Sequence, residues 1–188
     1  DFIPGPADAT QSTITASPTS IVADGVTTST ITVQLKDANG NNLTSGGDTV
    51  ALATTLGSLG SVTDNGDGTY TATLTSATTT GTATVTGTVN AAAITDNATV
   101  DFIPGPADAT QSTITASPTS IVADGVTTST ITVQLKDANG NNLTSGGDTV
   151  ALATTLVSLG SVTDNGDGTY TATLTSATTS GTATDRKS

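Results

Sequence analysis

The stretch STITVQLKD, residues Ser29–Asp37, places an apolar side chain at every second position. These side chains are Ile31, Val33 and Leu35, and the residues between them are polar. Successive side chains of a strand point to opposite faces of the sheet, so this pattern is typical of a strand with one buried face. The stretch therefore predicts a half-buried antiparallel strand.

The same alternation recurs in three further stretches of the first hundred residues. They are TYTATLT at 69–75, GTATVTGTV at 81–89 and ITDNATVDF at 94–102. Turn-forming pairs such as Asp67-Gly68 separate these stretches, and the abundant threonine favours strands over helices. The sequence predicts an all-β fold, with a two-sheet sandwich of about seven antiparallel strands per hundred residues.

The core of the first hundred residues is expected on the inward face of these strands. Its predicted members are Ile31, Val33, Leu35, Val50, Leu52, Tyr70, Leu74, Val85, Val100 and Phe102. Tyr70 and Phe102 lie in register with aliphatic neighbours, so we interpret both rings as core residues rather than as a binding platform.

A long internal repeat organises the chain. The segment DFIPGPADATQSTITASPTSIVADG opens the sequence and returns unchanged at residue 101. Between residues 101 and 184 only two positions differ, Gly57 against Val157 and Thr80 against Ser180. A period of a hundred residues fits a whole domain rather than a solenoid unit. We expect residues 1–6 to be the tail of a preceding repeat, 7–104 a complete domain, and 105–188 a second, C-terminally truncated domain.

The composition excludes several classes of function. The net charge is −12, with sixteen aspartates against four basic residues, so the surface repels nucleic acid. Cysteine and histidine are absent, which removes thiol and imidazole catalysis and the common zinc sites. Two Phe and two Tyr cannot line a sugar cleft for paired carboxylates. No run approaches the roughly 20 apolar residues of a membrane span. We expect neither an enzyme, nor a nucleic-acid partner, nor membrane insertion.

Several motifs of the repeat resemble a known family. They are ADG at 23–25, KDANGN at 36–41, GTY at 68–70, LTS at 74–76 and VDF at 100–102. In this order and over the whole period, they resemble the bacterial Ig-like domain of the invasin/intimin type. The resemblance implies tandem Ig-like β-sandwiches in the extracellular stalk of a bacterial cell-surface adhesin.

In that family most units are spacers, and a distinct tip domain binds the receptor. The resemblance thus implies a structural spacer that projects a distal binding domain and whose partners are the neighbouring Ig-like repeats. An alternative is a carbohydrate- or protein-binding Ig-like module of an appendage, phage or secreted protein.

The cluster DNGDGTY, residues 64–70, contains residue types that bind calcium. A helix-loop-helix calcium loop needs oxygen ligands at its positions 1, 3, 5 and 12. Counted from Asp64, positions 3 and 5 are Gly66 and Gly68, which have no side-chain oxygen. The cluster is therefore predicted to be a hairpin turn in which both glycines take a positive φ.

A better calcium candidate is DANGNNLTSGGD, residues 37–48. Asp37, Asn39, Asn41 and Asp48 stand at positions 1, 3, 5 and 12. Position 6 is Asn42, where such a loop requires glycine. Asn and Asp are also common in ordinary loops, so an ordinary loop is the alternative and no cofactor is required.

The junction between repeats offers a second set of calcium candidates. Its acidic residues are Asp8, Asp24, Asp96, Asp101 and Asp108. Some large adhesins that the chain resembles stiffen their stalks with calcium at such junctions. The alternative is a solvated acidic surface that maintains solubility.

The second repeat departs from the first at its end. GTATV becomes GTATDRKS, so Asp185 stands at the inward position of Val85. The strand equivalent to Ile94–Phe102 has no counterpart, and it should lie in the middle of a sheet. We expect the second domain to be less stable than the first, or to be completed by strand donation or swapping with another chain.

Overall fold

Strands form all of the regular secondary structure that the computed structural model gives for residues 2–187. No helix in this described range is long and apolar enough to cross a membrane. The chain divides into unit 1, up to Ile103, and unit 2, from Pro104 onward. The repeat comparison placed this boundary one residue later, after Pro104.

Unit 1 is built from strands that follow the alternating stretches of the sequence. In chain order the strands of its described residues are β1 (Thr13–Ser17), β2 (Ser20–Val22), β3 (Thr28–Gln34), β4 (Val50–Thr54), β5 (Ser58–Leu59), β6 (Thr63–Asp64), β7 (Thr69–Thr75), β8 (Gly81–Val89), β9 (Ala92–Ala93) and β10 (Ala98–Ile103). They form two five-stranded sheets. The first has the order β1-β3-β7-β5, with β6 also paired to β7, and the second has the order β2-β10-β8-β4, with β9 also paired to β8.

The register of the sheets explains the alternation. On the first sheet Ile31 of β3 lies opposite Ala72 of β7, and Val33 lies opposite Tyr70. All four side chains are buried, because facing residues of paired strands point to the same side of a sheet. The inward faces of the two sheets together form the core, so the predicted all-β sandwich is confirmed.

One pairing is not antiparallel, which corrects the prediction of antiparallel strands throughout. β2 and β10 run parallel, with Ile21 beside Phe102. The Ile14 amide donates a hydrogen bond to the Asp96 carboxylate, just before β10. The Ala23 amide donates one to the Ile103 carbonyl, at the end of β10. The chain from β1 through β2 therefore runs along β10 in the same direction as β10, which makes the pair parallel.

The core of unit 1 contains most of its predicted members. Eight are buried: Ile31, Val33, Leu35, Tyr70, Leu74, Val85, Val100 and Phe102. Val50 and Leu52 were also predicted to be buried, but they are only partly buried and pack against the core. Both lie on β4, which is the edge strand of the second sheet, so no further strand covers their outer side.

Unit 2 repeats the first sheet of unit 1 but not the second. Its described strands are β11 (Thr113–Ser117), β12 (Thr128–Gln134), β13 (Leu152–Thr154), β14 (Ser158–Leu159), β15 (Thr163–Asp164), β16 (Thr169–Thr175) and β17 (Asp185–Lys187). The first sheet has the order β11-β12-β16-β14, with β15 paired to β16, as in unit 1. The second sheet consists of β13 and β17 alone among the described residues.

β17 occupies the place that part of β8 has in unit 1. Thr154 pairs with Asp185, as Thr54 pairs with Val85 one repeat earlier. The described chain of unit 2 contains no counterpart of β10, the strand that lies between β2 and β8 in unit 1. The missing strand is therefore an interior strand of the sheet, as predicted.

Candidate functional site

The cluster Asp64–Tyr70 is a turn, as predicted. Gly66 and Gly68 have φ values of 79° and 84°. The Asp64 carboxylate accepts hydrogen bonds from the amides of Gly66 and Gly47, each at 2.8 Å. A Cβ added to Gly68 would lie 2.1 Å from the Leu43 carbonyl oxygen, so only glycine fits there. These residues position the entry to β7.

The Asp37 carboxylate is buried and binds backbone amides from two segments. Its Oδ1 accepts hydrogen bonds from the amides of Asn39 and Asn41, both at 2.9 Å. Its Oδ2 accepts one from the amide of Gly5 at 2.9 Å and one from the Asn41 side chain at 3.0 Å. Hydrogen bonds from the Asn41 side chain and then from Gly5 lower the pKa of Asp37 to about 2.

Unit 2 repeats this arrangement at its own entry. Asp137 is 1% exposed, and its Oδ2 accepts a hydrogen bond from the Gly105 amide at 3.0 Å. Burial acts to raise the pKa of Asp137, but hydrogen bonds from Asn141 and Gly105 lower it below the ordinary value. We call the contact of Asp37 with Gly5, and of Asp137 with Gly105, the aspartate clasp. Sequence reasoning missed this contact. The one signal for it was an aspartate in a turn, Asp37, whose second carboxylate oxygen can accept a hydrogen bond from outside the turn.

The structure brings together only part of the first calcium candidate set. Asp37, Asn39 and Asn41 form one turn, in which the carboxylate accepts N–H donors. Asp48 belongs to another network, where it accepts a hydrogen bond from the Asn90 side chain at 2.6 Å and its amide donates to the Tyr70 hydroxyl at 2.9 Å. Calcium binding by this set stays a prediction.

The junction candidates lie at two ends of unit 1 and at the start of unit 2. Asp8 and Asp96 lie near the start of β1, and Asp24 and Asp101 lie near the end of β10. In neither unit does the described chain place three acidic side chains so that they could hold a metal ion.

Each junction carboxylate accepts hydrogen bonds within its own unit. Asp8 accepts from Thr10, Asp96 from the Ile14 amide, and Asp101 from the Thr82 hydroxyl. Asp24 accepts from Thr27 and from the Val26 amide, and these bonds lower its pKa far below the ordinary value, with the Thr27 hydroxyl contributing most. Asp108 accepts from Thr110, as Asp8 does from Thr10.

A cavity of about 460 Å³ opens in unit 2 where its second sheet is incomplete. We call it the open cleft, and its lining includes Ile121, Ile131, Val157, Leu174, Gly181 and Asp185. In unit 1 the corresponding space holds Phe102, which pairs with Gly81 of β8 and with Ile21 of β2. A Cβ added to Gly57 would lie 3.0 Å from the Phe102 ring. The open cleft is therefore the empty counterpart of the Phe102 site.

Asp185 places a carboxylate beside this cleft. Val85, its counterpart in unit 1, is fully buried in the core. The Oδ1 atom of Asp185 is buried and has no hydrogen-bond partner among the residues that the structure describes, and the same holds for the hydroxyl of Thr154 beside it. A buried polar atom without a partner costs free energy, so this replacement weakens the second sheet of unit 2.

Comparisons with known proteins identify the family. The family model for invasin domain 3 matches residues 8–105 and 108–185. The crystal structure of invasin, described as a bacterial integrin-binding protein, is 41% identical over 99% of the chain with a TM-score of 0.73. Yersinia pseudotuberculosis InvD is 37% identical over 96% of the chain with a TM-score of 0.70. The Escherichia coli adhesin FdeC is 30% identical over 100% of the chain with a TM-score of 0.72.

The chain is shorter than these relatives. It spans 38% of the invasin chain, 53% of the InvD chain and 61% of the FdeC chain. Both repeats match the family model separately, and the motifs that suggested the resemblance lie in the matched ranges. The resemblance is thereby confirmed: the chain belongs to the invasin domain 3 family of bacterial Ig-like adhesin domains.

Proposed function

We propose that the chain is a spacer in the stalk of a bacterial surface adhesin and holds a distal binding domain away from the cell. Support comes from two relatives: FdeC is described as an adhesin and invasin as an integrin-binding protein, and both chains are longer than this one. The near-identical tandem repeat also supports the proposal, because a stalk lengthens by copying one unit. An extracellular position at the bacterial cell surface belongs to the same proposal.

The observation that carries the proposal is that the segment between the two units is very short. The Ile103 carbonyl accepts a hydrogen bond from the Ala23 amide of unit 1 at 2.8 Å. The Gly105 amide donates to the buried Asp137 of unit 2 at 3.0 Å. Only Pro104 separates these two anchored residues, and its ring fixes φ near −65°. A spacer needs such a short link, because a long flexible link would not hold the distal domain at a defined distance from the cell.

The surface chemistry favours a spacer over the carbohydrate-binding alternative. Tyr70, Tyr170 and Phe102 are each 2% exposed. Sugar-binding faces commonly use exposed aromatic rings, and Phe2 is the one aromatic residue of the described chain that is exposed. The outward positions of the strands carry mostly threonine, which supports solubility rather than a defined binding surface.

The link can be tested with paired labels. Val26 and Val126 are 74% and 75% exposed, and the chain has no cysteine. Spin labels on Val26→Cys and Val126→Cys should therefore report the separation of the units by electron double resonance. We expect a narrow distance distribution that broadens in Asp137→Asn, which loses the clasp at the link.

The matched control is Asp37→Asn, which removes the same clasp at Gly5, outside the link. It should leave the distribution narrow. A distribution that is broad without any substitution, or unchanged by Asp137→Asn, would contradict an anchored link.

The spacer role itself is tested on cells. Beads coated with the chain should adhere to epithelial cells no better than beads coated with albumin, because the proposal assigns receptor binding to another domain. Saturable adhesion that soluble chain competes away would overturn the spacer role and favour the binding module.

A further inference from the structure

The first two strands of unit 1 and its last strand run alongside each other in the same direction. The Ile14 amide, at the start of β1, donates a hydrogen bond to the Asp96 carboxylate just before β10. The Ala23 amide, just after β2, donates one to the Ile103 carbonyl at the end of β10. The chain therefore reaches β1 at one end of unit 1 and leaves β10 at the other end.

A pull on the chain from both sides of unit 1 loads these strands along their length. It draws β1 and β2 towards their starts and β10 towards its end. Because β2 pairs in parallel with residues 101–103 of β10, the two strands must slide past each other before they separate. Interstrand hydrogen bonds run across the strands, so this sliding strains all of them at the same time.

β1 resists the same pull through its pairing with β3. Its five residues, Thr13–Ser17, pair with residues 30–34 of β3. The side chains of Ile14, Ile21 and Phe102 are 2–4% exposed and lie in the core. Sliding of either pair draws these side chains out of the core and exposes their apolar surface to water, which opposes the movement.

We propose that β2 and β10 form a mechanical clamp with which unit 1 withstands tension along the chain. We call the pairing of β2 with residues 101–103 the strand clamp. Its use in the organism rests on the proposed spacer function, because a stalk whose distal domain is held at a surface is stretched when the cell is carried away. The resistance itself is a property of unit 1 and is measured without any receptor.

Two hydrogen bonds close the ends of the strand clamp. The Asp101 amide donates to the Thr19 carbonyl at 2.9 Å, and the Ala23 amide donates to the Ile103 carbonyl at 2.8 Å. Neighbouring amides of a strand point to opposite sides, so the Val22 amide points away from β10. β2 is the edge strand of its sheet. Proline is therefore compatible with position 22, whereas at position 23 it removes a bond of the clamp.

Single-molecule force spectroscopy of the full chain tests the strand clamp by changing the direction of the pull. The chain has no cysteine, and Gln11, Asn97 and Pro106 are exposed, so cysteines at these positions can carry the handles. Handles at Gln11→Cys and Pro106→Cys pull unit 1 along the chain and leave the residues after 106 outside the loaded path.

The matched control pulls across the strands over a similar length of chain. Handles at Gln11→Cys and Asn97→Cys separate the starts of β1 and β10, where the Thr95 amide donates to the Ala9 carbonyl at 3.3 Å. Contacts then open one after another rather than together. We expect the force of unfolding to be about threefold or more higher along the chain than across the strands, because several hydrogen bonds share the load.

Proline substitutions locate the resistance within unit 1. Ala23→Pro should lower the force along the chain about twofold, because it removes one end of the clamp. Val22→Pro is the matched control and should leave this force unchanged. Val89 is 2% exposed in the core, on β8. Val89→Ala should lower the urea stability of unit 1 but leave the force along the chain nearly unchanged, because Val89 lies outside the clamp.

Equal forces in the two directions would overturn the proposal, and this comparison needs no substitution within the clamp. Forces that follow only the urea stability of the variants, with Val89→Ala as weak as Ala23→Pro, would also overturn it. Failure of the spacer function gives a different result. Saturable adhesion of beads coated with the chain, together with a high force along the chain, would reject the spacer role and retain the strand clamp.

Discussion

Units 1 and 2 have the same residue at all but two of the positions 1–84 and 101–184, but only their first sheets are alike. Val33 and Val133 are both fully buried, and Tyr70 and Tyr170 are both 2% exposed. These residues lie on strand pairs whose two members are present in both units.

The second sheets differ because the described residues of unit 2 contain no counterpart of strand β10. Ala23 is fully buried and belongs to the core of unit 1, whereas Ala123, in an identical local sequence, is exposed. Ile14 is 3% exposed, whereas Ile114 is half-buried. A local sequence thus buries its apolar side chains fully only where a neighbouring strand covers them.

The largest expected effect comes from restoring the missing strand. Replacing residues 185–188 by the sequence of residues 85–104 would rebury counterparts of Ile94, Val100 and Phe102. Each such side chain contributes about 1.5–3 kcal/mol, so we expect unit 2 to gain roughly 5 kcal/mol.

Urea unfolding measures this gain. Each unit carries one tyrosine, so tyrosine fluorescence in a Tyr70→Phe background reports on unit 2 alone. If the extended and original chains unfold at the same urea concentration as monomers, the missing strand does not belong to the sandwich.

Matched core truncations come next in size. Leu74 is fully buried within the core of unit 1, whereas Leu174 is 6% exposed and lines the open cleft. Leu74→Ala should destabilise unit 1 by about 2–5 kcal/mol. Leu174→Ala should cost unit 2 roughly half as much, because its side chain already borders an open space. Equal costs in urea unfolding would show that the two cores are equally tight.

The repeat difference at position 57 can be exchanged between the units. Gly57→Val forces a side chain into a backbone with a φ of 75° and places its Cβ 2.4 Å from the Thr75 carbonyl oxygen. We expect a cost of about 2–3 kcal/mol in unit 1. Val157→Gly should change the stability of unit 2 by less than about 1 kcal/mol, because Val157 does not have the positive φ of Gly57 and its backbone therefore takes another turn conformation there. A tolerated Gly57→Val would mean that unit 1 can also adopt this other turn.

The sequence predicted most of the first sheet and of the core, because alternation of apolar residues reports directly on which face of a strand is buried. It placed Ile31, Val33 and Tyr70 correctly for that reason. Val50 and Leu52 alternate equally well, but their exposure depends on their strand being at an edge, which alternation cannot reveal. The parallel pairing of β2 was missed because a strand of three residues is too short for alternation of apolar and polar residues to identify it.

The site was less accessible from the sequence. Aligning the two repeats revealed Asp185 in place of Val85 and the lack of an interior strand, since both differences are visible in the aligned sequences. The aspartate clasp depends on a contact between residues 32 positions apart, Gly5 and Asp37, which no local pattern encodes. The open cleft could not be predicted from the sequence, because the residues around the position of Phe102 are brought together only by the register of three strands.

A smaller effect concerns acid stability at the clasp of unit 1. Hydrogen bonds hold the pKa of Asp37 at about 2, against an ordinary value of 3.8. The ionised carboxylate therefore stabilises unit 1 above about pH 3.8, and this stabilisation is lost as the pH falls towards about 2. Asp37→Asn should lower the melting temperature of unit 1 at pH 7 and flatten its fall between pH 4 and pH 2. A parallel fall in both proteins, followed by circular dichroism, would assign the acid sensitivity to other carboxylates.

The smallest expected effect is that of calcium, for which both candidate sets stay predictions. Asp8, Asp24, Asp37 and Asp96 already accept hydrogen bonds from amides or hydroxyls of their own unit. A calcium ion would have to displace these donors, and it stabilises the fold only through the excess of its binding over that loss. We therefore expect millimolar calcium to give no more heat in titration calorimetry than magnesium. A calcium-specific heat that Asp37→Asn removes would establish the loop set. One that Asp24→Asn removes and Asp37→Asn retains would establish the junction set, and with it a second means of stiffening the link at Pro104.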